Sequence, residues 1–214
     1  MLILLPPSEK KKAATGQHKF ELTDLAFTAE LLAARTSALV NQETFPTAEA
    51  LEIYEGVLYQ GLNWKDFSEA DRKRANSRVL IISALFGLVR PKDQIFKYKL
   101  KIDNSLWRES VAQVAATFVD ELIIDCRSST YKGIWPVDPE RTVEVRVFKI
   151  TDGVRSVITH MSKKYRGELT RHLLMQPSDP QNPAELQRIA AELFECELCP
   201  PSNGQPWTLD LLIS

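Results

Sequence analysis

The sequence predicts a mixed α/β fold: one compact domain over residues 1–214, with a central mixed sheet and flanking helices. Three observations carry this. Short unbroken apolar runs at Leu2–Leu5, Val79–Ser83 and 122–125 read as strands covered on both faces, because a half-exposed strand would alternate. Amphipathic stretches at helical spacing lie between them. An alternating run, "VEVRVFKI", passes through "TDG" into "VRSVITH", which is a hairpin pattern. Short strands mixed with helices call for a sheet with helices packed on it.

The elements follow in order. Residues 2–5 end abruptly at Pro6-Pro7, which stop ladder pairing. Thr23-Asp24 would cap a helix reaching residue 41, with Leu25, Leu32 and Leu39 on one face. A second helix is expected after Pro46-Thr47, carrying Leu51 and Tyr54. Ser68, with Asp71 three residues on, starts a third through a near capping box. "RVLIISALFGL" is a buried strand ending near Ser83, and "NSLWRESVAQVAATFVD" places Trp107, Val111, Val114 and Phe118 at helical spacing. "ELIIDC" is a short buried strand. "SKKYRGELTRHLLM" is a basic amphipathic helix, and Asn182-Pro183 starts another. The tail, "FECELC" and "PWTLDLLI" around "PPSNGQ", reads as a closing hairpin. The three apolar runs are expected to share one sheet, with their polar ends, Ser8-Glu9-Lys10, Ser83 and Asp125 to Arg127, close together.

Composition narrows the function. No apolar run approaches the ~18 residues that a membrane span needs, and the N-terminal run is too short for a signal sequence. A membrane role is therefore excluded and a cytoplasmic location expected. Three cysteines, an odd number, fit a reducing compartment. Cys196 and Cys199 form a lone CxxC in a predicted strand, without partners for zinc and without a helix N-terminus to activate a thiol. Neither a metal nor a cofactor is expected.

The net charge of −1 hides a segregation. Residues 21–55 hold seven carboxylates and one arginine, whereas residues 72–78 carry +4, residues 90–101 carry +4 and residues 163–171 carry +3. With Lys10, Lys11 and Lys12 these clusters would form a positive face if they meet in the fold, or four separate solvated surfaces if they do not. Four corners carry candidate chemistry. "PPSEKKK" presents a hydroxyl, a carboxylate and ammoniums at a strand exit, where the plain alternative is a solvated loop. Ser83 ends a buried strand, and Arg90, extended by Pro91, suits a phosphate or carboxylate, or else a surface acid. Gly56 and Gly61 would form a turn between helices that aims N–H groups at a phosphate. Lys163, Lys164 and Arg166 start a helix against the preference of its dipole, as an anion site or as a solvated face.

Taken together these stretches resemble one family, the YaaA peroxide stress resistance family of bacteria. "LLPPSEKK" is similar to its LLPPSEGK, with Lys11 read as the substitute for the glycine. "EGVLYQGL" matches its G-x-x-Y-x-G-L through Gly56, Tyr59, Gly61 and Leu62. "IISALFGLVRP" resembles LSGLYGLLRP, and "YKLKI" at Tyr98 resembles YRLEM. "SSTYKGI" and "SKKYRGELTR" sit where the family has A-S-x-E-Y and K-x-A-R-G-x-x-x-R. The resemblance runs in order over nearly the whole chain. It implies a single-domain α/β protein with a positive cleft, DNA binding linked to a helix-hairpin-helix-like element, and protection against hydrogen peroxide that includes limiting free iron. It implies no assigned reaction.

The reading is therefore an oxidative-stress protein that binds duplex or branched DNA by shape. Phosphate contacts are expected from Lys10, Lys12, Arg72, Arg74, Arg90, Lys97, Lys99, Lys163 and Arg166, with backbone N–H groups from Gly56 and Gly61. The alternative is an enzyme acting on a nucleotide or other phosphorylated small molecule at a corner of Ser8, Glu9, Lys10, Ser83, Arg90 and Tyr98. A third reading is an interaction protein that limits iron without a ligand of its own.

Overall fold

The computed structural model describes residues 1–40, 45–158 and 161–213. Its frame is an eight-stranded mixed sheet. The strands are β1 (Leu2–Leu5), β3 (Val79–Ser83), β4 (Gly87–Val89), β6 (Ile123–Asp125), β7 (Thr142–Thr151), β8 (Val154–Val157), β9 (Glu195–Cys199) and β10 (Trp207–Ile213). A separate ribbon pairs β2 (Ala48–Glu49) with β5 (Gln94–Ile95). The order across the sheet is β4-β3-β1-β6-β7-β10-β9, with β8 folded back on β7. Strands β3, β1, β6, β7 and β10 run parallel, while β4, β8 and β9 are antiparallel additions.

Among the described residues seven α-helices flank it: α1 (Thr28–Leu39), α2 (Ala50–Ile53), α3 (Val57–Leu62), α4 (Glu69–Arg78), α5 (Asn104–Ala115), α6 (Ser162–Met175) and α7 (Pro183–Ala190). Side chains alternate across a strand, so β1 feeds two cores. Ile3 and Leu5 join Val79, Ile81 and Val145 beneath α6 and α7, where Leu169, Leu173 and Leu186 are buried. Leu2 and Leu4 join Leu80 and Ile82 against α1 and α5, around the fully buried Trp107. Both faces are covered, which is why these strands read as continuous apolar runs.

The three apolar runs do share one sheet, with Ile3 opposite Val79 and Leu2 opposite Ile123. The capping box forms at Ser68 and Asp71, Asn182 caps α7, and the hairpin turns on Asp152 and Gly153, both at positive φ. The closing hairpin of β9 and β10 is present, and β10 also pairs parallel with β7.

Some of the expected elements need correction, and others reach beyond the described residues. The first long helix begins at Thr28, because Asp24 instead closes a single 3-10 turn over Leu22–Asp24. Its buried face is Leu31, Ala34 and Arg35, while Leu32 is 47% exposed; residue 41 lies outside the described residues. The second helix is only α2, which stops before Tyr54. The hairpin's final residues 159 and 160 lie outside the described residues. The Gly56–Gly61 segment is not a turn: Gly61 lies inside α3. Arg35, fully buried, ties α1 to the β3–β4 turn by donating to the Phe86 and Leu88 carbonyls at 3.0 and 2.8 Å. In that turn Gly87 has a φ of 74° and the Trp107 ring packs where a Cβ would stand, so no other residue fits.

Candidate functional site

The carboxyl ends of β1, β3 and β6 meet at one corner, the side of a parallel sheet where ligands ordinarily bind. Pro6 has no N–H to continue the ladder, and its carbonyl accepts a hydrogen bond from the Tyr59 hydroxyl at 2.7 Å. The chain then runs alongside residues 53–55. The Glu55 amide donates to Ser8 Oγ at 2.9 Å and to the Lys10 carbonyl at 3.0 Å, and Lys11 bridges to Tyr54. This extended pairing sends alternate side chains to opposite sides. Lys10 and Lys12 turn out and both reach Glu55, at 3.0 and 3.8 Å. The hydrogen bond from Lys10 holds the Glu55 carboxyl below its usual range. Lys11 turns in and is only 9% exposed.

Inside the corner Lys11 Nζ donates to the Ser8 carbonyl at 2.7 Å and sits 4.2 Å from the centroid of the Tyr98 ring. Burial pushes its amine down to about 8, against which the nearby Glu9 carboxylate pulls it up. The Tyr98 hydroxyl is 2.9 Å from Ser83 Oγ and 3.1 Å from the Tyr54 hydroxyl, so the three form a chain of hydrogen bonds. Burial raises the Tyr98 phenol to about 12 and lifts Tyr54 and Tyr59 too, keeping all three protonated. At the end of β6, Arg127 grips Asp125 through two bonds of 2.9 Å, with both side chains buried. Arg166 Nη1 then donates to the Arg127 carbonyl at 3.3 Å, which brings the start of α6 to the same corner. Cys126 is buried there with its thiol raised to about 12, chiefly by burial, so it is not a ready nucleophile.

The predicted residues separate into two groups. Ser8, Glu9, Lys10, Lys12, Ser83 and Tyr98 meet at the corner, and Lys97 and Lys99 are exposed on either side of Tyr98. Lys163 is exposed in the first turn of α6, one turn before Arg166. Three arginines lie elsewhere. Arg90 follows β4, which runs antiparallel to β3, so it stands at the far end of β3 from Ser83. Its guanidinium donates to the Asn76 and Ser77 carbonyls at 2.6 and 3.0 Å, closing the end of α4. Arg74 closes α6 in the same way, on the Leu174 and Gln176 carbonyls. Arg72 stacks 4.7 Å from the Trp64 ring centroid and pairs with Glu49 at 3.6 Å. Gly56 packs against Ser8, where an added Cβ would lie 3.3 Å from the serine Cβ. Gly61 packs against the backbone of α6 at Lys164.

Beside the corner is a cavity of about 500 Å³, walled by Tyr54, Tyr59 and Trp64 and edged by Lys12, Glu52 and Glu55. It shares Glu55 and Gly56 with the lysine loop. The described residues contain no cluster of histidine, cysteine or carboxylate side chains that could hold a metal ion, and no helix long and apolar enough to cross a membrane.

Residues 22–198 match the model of the family described as peroxide stress protein YaaA. The chain belongs to this family. A UPF0246 protein of Streptomyces coelicolor is 32% identical over the whole chain and 98% of its own length. Another, of Corynebacterium efficiens, is 32% identical over 89% of this chain and 91% of its own. This YaaA family chain uses several residues that sequence reasoning missed. Lys11 is the chief one. In register, "LLPPSEKK" sets Lys10, not Lys11, opposite the glycine of LLPPSEGK, so Lys11 takes the place of the family lysine. The available signal was alternation along the loop, which puts every second lysine on the inner side. The Asp125–Arg127 fork carried the same signal, two residues apart at a strand end.

Proposed function

We propose that this YaaA family protein acts in hydrogen peroxide stress by binding DNA, duplex or branched and without sequence preference, through the lysines that rim the carboxyl end of its sheet. Binding there would keep iron-driven radical damage away from the DNA. The observation that carries the reading is convergence: Lys10 and Lys12 from the β1 exit, Lys97 and Lys99 around Tyr98, and Lys163 and Arg166 on α6 all belong to segments that end at one corner. Exposed ammoniums grouped in this way suit the regularly spaced phosphates of a nucleic acid. Phosphate contacts position a protein without reading bases, which fits a corner whose exposed groups are chiefly lysines. Arg72, Arg74 and Arg90 are assigned no phosphate here, because each already serves another segment of the chain.

Fluorescence anisotropy with two labelled duplexes of unrelated sequence tests this. Changing Lys10 and Lys12 together to alanine is expected to weaken both duplexes by the same factor, at least tenfold at 50 mM salt. Absence of binding by the unaltered protein at that salt overturns the reading.

A further inference from the structure

We propose that the cavity beside the lysine loop is a nucleotide site, with the base against its aromatic inner wall and the phosphate at Lys12 and Lys65. This goes beyond DNA binding at the corner: the cavity lies between α2 and α3, and of the lysines assigned to DNA only Lys12 lines it. Its volume, about 500 Å³, falls in the range of small-molecule sites. Leu51 of α2, Tyr59 of α3, Tyr54 between the two helices and Trp64 after them form the inner wall, and all four are buried. That wall is set before any ligand arrives. The Tyr54 and Tyr59 rings stack 5.4 Å apart, and their hydroxyls are held by the Tyr98 hydroxyl at 3.1 Å and the Pro6 carbonyl at 2.7 Å. Aromatic walls suit a flat heterocycle. Trp64 also carries an indole N–H that is buried without a hydrogen-bond partner, whereas the buried Trp107 donates to the Ala84 carbonyl at 3.2 Å. An acceptor on an occupant of the cavity would supply what this wall lacks, and every nucleobase carries such acceptors.

The mouth is polar and largely uncommitted. Lys12, Glu52, Gln60 and Lys65 are exposed there. The Lys12 amide donates to the Ile53 carbonyl at 2.8 Å, so backbone pairing fixes its place at the rim. Glu52, Gln60 and Lys65 have no side-chain hydrogen bond or ion pair among the described residues. Each part of a nucleotide meets a complementary group: two ammoniums for the phosphate, a carboxylate for sugar hydroxyls, and an amide that both donates and accepts for the base edge. A purely apolar occupant would leave both lysines and Glu52 without a role.

A free nucleotide and an unpaired nucleotide of a strand share this chemistry, and two fluorescent probes separate them: 2-aminopurine riboside 5′-monophosphate, and a duplex carrying one bulged 2-aminopurine. Entry of the base among the aromatic rings is expected to quench its emission. Quenching of the free probe assigns the site to free nucleotides, and quenching of the bulged probe alone assigns it to an unpaired nucleotide of a strand; either result supports the proposal. Against the free probe, adenosine and ribose 5-phosphate should each compete at least tenfold less well than adenosine monophosphate, since each lacks one anchored part. Lys65→Ala should weaken quenching at least tenfold, whereas Lys73→Ala, on the exposed side of α4, should leave it unchanged. Ala13→Trp fills the mouth and should abolish quenching while keeping the circular dichroism melt. The competition is measured on the unaltered protein, so the test stands even if a variant does not fold. Quenching of neither probe overturns the proposal, as does quenching that survives Ala13→Trp in the folded protein, or adenosine competing as well as its monophosphate. Fully paired duplexes offer no unpaired base, so their anisotropy tests the DNA reading independently.

Discussion

Lys11 and Lys12 are adjacent and chemically alike, yet one bridge to Tyr54 puts them in opposite environments. That difference has a thermodynamic consequence. The folded protein holds the Lys11 amine at about 8, below its unfolded value, so folding favours the neutral form. Below pH 8 the charged amine destabilises the fold, and this penalty is relieved as pH rises from about 8 towards 10.5. Lys11→Met, which keeps the apolar stem, should therefore raise Tm relative to the unaltered protein below pH 8, and the gain should shrink over pH 8 to 10.5. A difference in Tm that does not vary with pH would show that the amine is not strained by burial. The Asp125–Arg127 fork gives a second test at this scale. Both partners are buried and each satisfies the other. Asp125→Ala leaves the guanidinium buried and unpaired, at a cost of about 3–5 kcal/mol in urea unfolding. Replacing Asp125 and Arg127 together with leucine and methionine should recover much of that loss.

Elements were legible in the sequence where one local cause decided them, and illegible where a distant partner did. The Val79–Ser83 strand declared itself because every residue in it is buried, and α4 and α7 because Ser68 and Asn182 cap them. The parallel pairing of β7 with β10 was hidden, since their pairing residues lie more than sixty positions apart and no local pattern records it. The α3 segment was misread for the same reason. Gly61 reads as a turn residue, but it and Gly167, inside α6, each admit a carbonyl of the opposite helix. A Cβ at Gly167 would overlap the Leu58 carbonyl oxygen, and one at Gly61 would overlap that of Lys164. Because the clash is with backbone, neither helix can yield by changing a rotamer. Gly167→Ala should cost about 3 kcal/mol and lower Tm by roughly 10 °C. It should also disturb the corner, because α3 begins at Gly56, which packs on Ser8. The site was half legible for a related reason. Strand ends located Ser8 and Ser83 correctly, whereas charge alone could not separate arginines that close helices from lysines left free.

At the scale of the whole molecule, that separation would set the strength of the proposed DNA binding. Arg74 and Arg90 are committed to the carboxyl ends of α6 and α4, so the basic character of residues 72–78 and 90–92 does not add to the corner. Five exposed lysines remain there: Lys10, Lys12, Lys97, Lys99 and Lys163. If each neutralises one phosphate, log affinity should fall with log salt at a slope near −4.5, and a fourfold rise in salt should weaken binding by roughly 500-fold. Glu55 now holds Lys10 and Lys12, and DNA bound as proposed would have to displace it, so Glu55→Gln should tighten binding. Alanine at Lys10 and Lys12 should flatten the slope by about two units. Alanine at Arg74 or Arg90 should lower Tm, because helix carbonyls lose their donors, but leave the slope unchanged. A salt titration between 50 and 200 mM distinguishes the two classes of cation. A slope that flattens in the Arg74 and Arg90 variants and holds in the Lys10–Lys12 variant would move the DNA surface to the opposite end of the sheet.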